Sequence, residues 1–161
     1  MFYYRKATLN DLEKIWDKDI AKHQGEECWI RWKKQYIDYN LSSKAATFVV
    51  LNQDNPIGQI TVLFSSECKA VFNRPKLCNG TTIANMNAFR IDKEYEGQGH
   101  ISKLIKMGEE YAKAKGITYL TIGCEAIESR NLAIYLHLGY TEFVTSLLED
   151  DVLVLYYGKK I

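Results

Sequence analysis

The stretch "EYEGQGHISKLI", Glu94–Ile105, decides how the rest of the chain is read. It follows an extended run, "TTIANMNAFRI", and opens a segment in which Ile101, Leu104, Ile105 and Gly108 share one helical face. Strand, two-glycine loop and helix in that order put a helix N-terminus beside residues that let a ligand approach the backbone. Such a terminus offers unpaired amides and a partial positive charge. Three readings compete. The glycines serve only a tight turn, or they belong to a dinucleotide fingerprint, or the amides of residues 97–102 cradle an anion such as a pyrophosphate. Glu96 supplies no cation, so a cradle here rests on backbone N–H groups alone.

The dinucleotide reading fits poorly. Gly97-x-Gly99-x-x-Ser102 lacks the third Gly or Ala, although Glu125 stands roughly where a ribose-binding acid belongs. The flanking pattern also disagrees. "FYYRKA" reads as a first strand and "TLNDLEKIWDKDIAKH" as a helix, with Asn10 and Glu13 at capping-box spacing and Leu12, Ile15, Trp16 and Ile20 on one face. "EECWIRWKKQYIDYN" reads as a second helix. Its Trp29, Trp32, Tyr36 and Tyr39 form either a core stripe or the wall of a substrate cleft. "ATFVVL" and "IGQITVLF" make a hairpin around "NQDNP".

A long aperiodic stretch, "SSECKAVFNRPKLCNG", precedes the central strand, and loops of that length are usually functional or mobile. After the quoted junction a helix runs to about Lys115, with Gly116 past its end. "ITYLTIGC" reads as a buried strand, "SRNLAIYLHLG" as a short helix, and "TEFVTSLL" with "VLVLYYGK" as a closing hairpin around "EDD". The order βααβββαβαββ holds one βαβ unit in a largely antiparallel context, which predicts an α/β mixed sheet in one domain spanning residues 1–161.

Composition narrows the function classes. The 161 residues are 47% hydrophobic and 25% charged, as expected of a globular domain rather than a disordered chain. A formal charge of +1 gives no general attraction to nucleic acid or acidic lipid, so neither is expected as a partner. The apolar runs are too short to span a bilayer, and "MFYYRKATLNDLE" lacks the layout of a signal peptide. A cytoplasmic location follows as the expectation. The four cysteines form no C-x-x-C, and no His pair has ligand spacing, so no metal site is expected. Cys28 and Cys124 read as buried free thiols. Cys68 and Cys78 flank a loop and could pair only in an oxidising compartment.

The quoted stretch gains its meaning from its neighbours. "RKATLNDLEKI", "FRIDKEYEGQGHISKLI" and "CEAIESRNLAIYLHLGY" occur in the order of three segments of the GNAT family of acetyl-CoA-dependent N-acetyltransferases, which the chain resembles over nearly its whole length. In that family the middle segment carries an Arg/Gln-x-x-Gly-x-Gly/Ala loop that binds the pyrophosphate of CoA. The later segment carries an Asn, a helical Tyr and a closing Gly-Phe or Gly-Tyr. Gly99, Arg130, Tyr135, Gly139 and Tyr140 keep the pattern. Glu96 stands where Arg or Gln is usual, Ile101 where Gly or Ala is usual, and Glu128 where Asn is usual, with Asn131 one turn further on.

The resemblance implies a GNAT-type acyl-CoA N-acyltransferase fold, acetyl-CoA as cosubstrate and transfer of its acetyl group directly to an amine. It implies a cofactor-binding set of Phe89, Arg90, Ile91, Glu96, Gly97, Gln98, Gly99, His100, Ile101, Ser102, Asn131 and Tyr135. In the family the strand around Phe89 to Ile91 splays from the next one and turns its backbone amides toward pantetheine and the acyl oxygen.

The chemistry sets its own demands. An alkylamine with a pKa of about 10.4 must lose a proton before it attacks, the oxyanion needs a donor, and the leaving thiolate needs a proton. Tyr135 is the candidate acid, set against plain packing on an apolar helix. Where some relatives place a Glu, six residues before Ile91, this chain has Asn85, which cannot take a proton. Glu125 is the candidate base, directly or through water, set against a solvated strand end. His137 and His100 suit the role less well.

The acceptor is expected at residues 20–40 and 65–80. Glu26 and Glu27 could attract a cationic amine, and Trp29 and Trp32 could stack on a ring or sugar. Ordinary helix-start acids and a core stripe are the plain alternatives. A small-molecule amine is therefore the expected acceptor. A peptide or protein amine and a CoA-binding sensor with degraded catalysis are the alternatives, and a homodimer is compatible with the sequence.

Overall fold

A computed structural model describes residues 1–161 and runs β1 (Phe2–Lys6), α1 (Leu9–Lys22), α2 (Glu27–Leu41), β2 (Ala45–Asn52), β3 (Asn55–Leu63), β4 (Ile83–Ile91), α3 (His100–Ala114), β5 (Tyr119–Glu125), α4 (Ser129–His137), β6 (Glu142–Glu149) and β7 (Val152–Lys160). This is the order expected from the sequence. The seven strands form one mixed sheet in the order β1-β2-β3-β4-β5-β7-β6, which leaves β1 and β6 at the edges. β1 pairs antiparallel with β2, and β7 pairs antiparallel with both β5 and β6. β4 and β5, joined through α3, are parallel, giving the single βαβ unit.

Helix α1 begins earlier than the Asn10–Glu13 spacing predicts. Thr8, in an extended conformation, is the N-cap. Its hydroxyl accepts from the Asp11 amide at 3.2 Å, and the Asp11 carboxylate accepts from the Thr8 amide at 2.8 Å. Arg5 also pairs with Asp11 at 2.8 Å, so Asp11 outcompetes Glu13 by being held from two sides.

The chain forms two compact units, Met1–Thr61 with Ala88–Gly108, and Val62–Asn87 with Glu109–Ile161. In the first, Ile15 of α1 packs with Val49 and Leu51 of β2, and Ala7 adds to the cluster. Asn40 of α2 donates to Thr47, whose hydroxyl meets that of Thr61 at 2.7 Å, a buried polar link with its groups satisfied. The aromatic stripe of α2 is partly core and partly surface. Tyr36 is buried and lies 5.1 Å from Trp16, while Trp29, Trp32 and Tyr39 are half-buried.

In the second unit the stretch 64–82 is irregular, as its lack of periodicity predicts, yet it contributes to the core. It contains a short 3-10 turn, Lys69–Val71, and buries Cys68, Val71, Leu77 and Cys78. Apolar residues spaced irregularly fill a core here without any helical or strand period, which is why periodicity missed them. Asn79 ends the stretch, its side-chain oxygen accepting from the amides of Thr81, Thr82 and Ile83 at the start of β4. All four cysteines are free. Cys28 is half-buried rather than buried, because it sits beside the exposed start of α2.

Candidate active site

The first unit holds the end of β4 and the glycine loop. The Asp92 amide donates to Ile57 O on β3 at 2.7 Å, and Gly58 lies so close that a Cβ there would stand 2.3 Å from Ile91 Cδ1 and 2.8 Å from Arg90 O. From the other side α1 grips the same stretch. Arg90 donates to Ile15 O at 3.2 Å from both terminal nitrogens and to the Asp19 carboxylate. Lys18 donates to Asp92 at 3.0 Å and to Pro56 O at 2.6 Å. The Arg90 side chain is thus committed to α1, and what Phe89, Arg90 and Ile91 offer a ligand is backbone. Ala88, just before them, has φ 54, in the left-handed region.

Beyond Asp92 a 3-10 turn, Lys93–Tyr95, leads into the loop. Glu96, Gly97, Gln98 and Gly99 are exposed, and Gly97 and Gly99 have φ 75 and 82. A Cβ on either glycine would meet nothing within 4 Å, so the space in front of both is open. The glycines are required by φ, not by crowding. The first helical bond of α3 runs from the Lys103 amide to Gly99 O at 3.3 Å, so the amides of His100, Ile101 and Ser102 precede it and carry the positive end of the helix. Ile101 is half-buried, and Leu104 and Ile105 on the same face are fully buried. The His100 side chain is 4% exposed, and Tyr4 OH lies 2.6 Å from its Nδ1. Burial, with a smaller contribution from Lys103, lowers its pKa.

Of the expected acceptor region, residues 20–40 also lie in this unit, whereas 65–80 belong to the second. Glu26 is the N-cap position of α2 without a side-chain cap bond, and both Glu26 and Glu27 are exposed. Trp29 meets Trp32 edge-on at 4.9 Å. His23, which nothing in the sequence singles out, stacks on Trp29 at 4.0 Å with 12° between the planes. Its Nδ1 lies 2.8 Å from Asp19 O at the end of α1, which fixes the ring.

The second unit holds the start of β4, β5 and α4. The β4–β5 ladder pairs Ile83, Ala84, Asn85 and Met86 with Tyr119, Leu120, Thr121 and Ile122, and ends there, although β5 continues to Glu125. Asn85 is buried and donates to the Thr121 hydroxyl at 2.9 Å, an amide held in place with no carboxylate in its row. Glu125 is exposed, and its carbonyl accepts from the Glu128 amide at 2.9 Å, which turns the chain into α4. Asn131 and Arg130 are exposed on α4, and His137 is exposed at its end.

Tyr135 is 7% exposed. Burial chiefly, then the charge of Cys124 and of Glu128, raises its pKa well above that of a free phenol. The Cys124 thiol lies 3.4 Å from Glu128 O. Tyr140 closes the segment. It is fully buried, its hydroxyl donates to Glu109 at 3.3 Å, and Lys159 joins Glu109 at 2.8 Å.

A strand, an open two-glycine loop, a helix start and a buried helical tyrosine followed by Gly139-Tyr140 are thus present as three-dimensional features. The family model of the acetyltransferase (GNAT) family matches residues 9–140. The chain belongs to the GNAT acetyltransferase family. It is therefore an enzyme of the transferase class.

Solved structures of GNAT-type proteins share its fold end to end. An N-acetyltransferase from Staphylococcus aureus Mu50 superposes with a TM-score of 0.74 at 16% identity, covering 99% of this chain and 98% of that one. A ribosomal-protein-alanine N-acetyltransferase from Brucella melitensis gives 0.73 at 14% identity, covering 99% of both chains. The PaiA N-acetyltransferase from Thermoplasma acidophilum, solved in complex with coenzyme A, gives 0.65 at 16% identity, covering 100% of this chain and 99% of that one. No curated protein matches the chain. No helix is long and apolar enough to cross a membrane.

Proposed function

We propose that this GNAT acetyltransferase moves the acetyl group of acetyl-CoA directly to the primary amine of a small molecule. The observation that carries the cofactor part is the open loop at Gly97 and Gly99, both in the left-handed region, ahead of the unbonded first amides of α3. Those amides suit the pyrophosphate, as do a helix dipole and the absence of any side chain in front of the glycines. The backbone of Phe89, Arg90 and Ile91 supplies the donors for pantetheine and the acyl oxygen, and Asn131 adds a polar contact on α4.

In the reaction the carbonyl carbon of the thioester gains a bond to nitrogen and loses its bond to sulfur. The neutral amine attacks. That amine is formed when Glu125 takes one ammonium proton through water, which its exposure at the end of β5 permits. Tyr135 gives its hydroxyl proton to the departing thiolate. Nitrogen's second proton passes to solvent as the adduct collapses, and solvent returns a proton to the Tyr135 phenolate. Burial keeps the phenol protonated when the thiolate forms but also makes it a weaker acid, so the role rests on its place in the family pattern and not on its acidity.

The small-molecule acceptor draws its support from the α1–α2 region. His23, Trp29 and Trp32 present stacked and edge-on rings there, next to exposed Glu26 and Glu27. Flat apolar faces beside carboxylates suit a compact cation. The test is thiol release from acetyl-CoA over a panel of small amines and short peptides with free N-termini. Turnover of small amines is expected. Turnover of peptides alone would replace the acceptor class, and no thiol release with any amine would remove the proposal.

A further inference from the structure

The glycine loop is held at both ends by residues of the first two strands. Before it, the Tyr95 hydroxyl accepts from Asn52 at 3.0 Å and its ring meets Phe2 edge-on at 5.9 Å. After it, the His100 ring meets Phe2 at 4.5 Å and Tyr4 OH at 2.6 Å. Lys103, one turn into α3, lies 5.1 Å above the Tyr4 ring. Phe2 and Tyr4 are two apart on β1 and so face the same side of it, and Phe2 pairs with Asn52 in the ladder. His100 Nε2 is buried without a partner, so the Tyr4 hydroxyl is the polar group that fixes the imidazole.

Two glycines at positive φ, separated only by Gln98, make a loop with large conformational freedom. A cradle built of amides works only when those amides already point at the ligand. Glu96 adds no cation to compensate. We propose that the Tyr4–His100 hydrogen bond is a positioning device for the phosphate end of the cofactor site, locking the first turn of α3 to β1 so that the amides of residues 99–102 converge. This inference rests on the acetyl-CoA reading above.

The experiment compares wild type with Tyr4→Phe, His100→Leu and the double variant. Calorimetric affinities are measured for CoA and for pantetheine, which lacks the pyrophosphate, beside thermal melting. Tyr4→Phe is expected to weaken CoA roughly three- to tenfold, the value of one hydrogen bond, and to leave pantetheine unchanged. The double variant removes both polar groups together, so its melting temperature stays near wild type while CoA binding remains weakened. Unchanged CoA affinity in Tyr4→Phe, or an equal loss for pantetheine, overturns the positioning role while leaving the cofactor reading intact. Failure of the wild type itself to bind CoA removes both.

Discussion

The guanidinium of Arg90 on β4 donates to the carboxylate of Asp19 on α1, with side chains only 14% and 10% exposed. Burial raises the pKa of Asp19 and lowers that of Arg90, so desolvation works against both charges while each partner supports the other. The pair is therefore costly to break and cheap to replace. Asp19→Leu alone, which strands a buried guanidinium, should lose about 3–5 kcal/mol of stability. Asp19→Leu with Arg90→Met should recover most of that loss. Denaturant unfolding of both variants checks it, and equal losses would show that the ion pair itself supplies the stability.

Tyr135→Phe should lower turnover by about 10²-fold or more while CoA affinity stays within a factor of about two. Steady-state kinetics with calorimetry tests this. Because the hydroxyl titrates above the usual phenol range, Tyr135 should add no falling limb to the rate profile up to about pH 10. The rate should instead climb with pH as the acceptor amine loses its proton. A falling limb near neutrality that disappears in Tyr135→Phe would contradict the assignment.

Glu96 is exposed and its charge opposes the anion expected beside it. Glu96→Arg should tighten CoA binding by roughly two- to fivefold at low ionic strength, and the gain should shrink with added salt. Equal affinity for the two proteins at low salt would show that Glu96 points too far away to matter.

Gly58 leaves no room for a side chain against Ile91 and the Arg90 carbonyl. Gly58→Ala must push the end of β4 aside, at a cost of about 1–3 kcal/mol. Melting temperature and CoA affinity should fall together, because the displaced backbone is the one assigned to pantetheine. Loss of stability with full CoA affinity would separate that backbone from the cofactor.

Much of this was legible in the residues. Glycine spacing, helical periodicity and the three ordered segments led to the element order and the parallel β4–β5 pair. The rest depended on contacts across the sequence. Tyr4 and His100 are ninety-six positions apart, and no local pattern marks either as the other's partner. His23 is stacked by a turn that brings the end of α1 against α2. Thr8 caps α1 because Arg5 holds Asp11, a competition among three residues that spacing alone cannot rank. The 64–82 stretch hides its core residues because irregular backbone has no period.

Ala88 has a further consequence. A residue with a Cβ at φ 54 sits in a conformation that costs about 1–2 kcal/mol, in the middle of a strand. Ala88→Gly should therefore raise the melting temperature, since the native angle suits glycine, and an unchanged or lower value would show that the strain is smaller than the freedom glycine adds to the unfolded chain. Thermal melting reads the balance directly. β4 thus behaves as two strands in one. Its first half is a ladder rung that could be remodelled only at the expense of the core. Its second half is held by β3 and α1, with the single residue Ala88 at an angle that side-chain-bearing residues rarely adopt. A search for thermostable variants would reach this residue early, and the variants it returned would show whether durability and turnover compete at a single backbone angle.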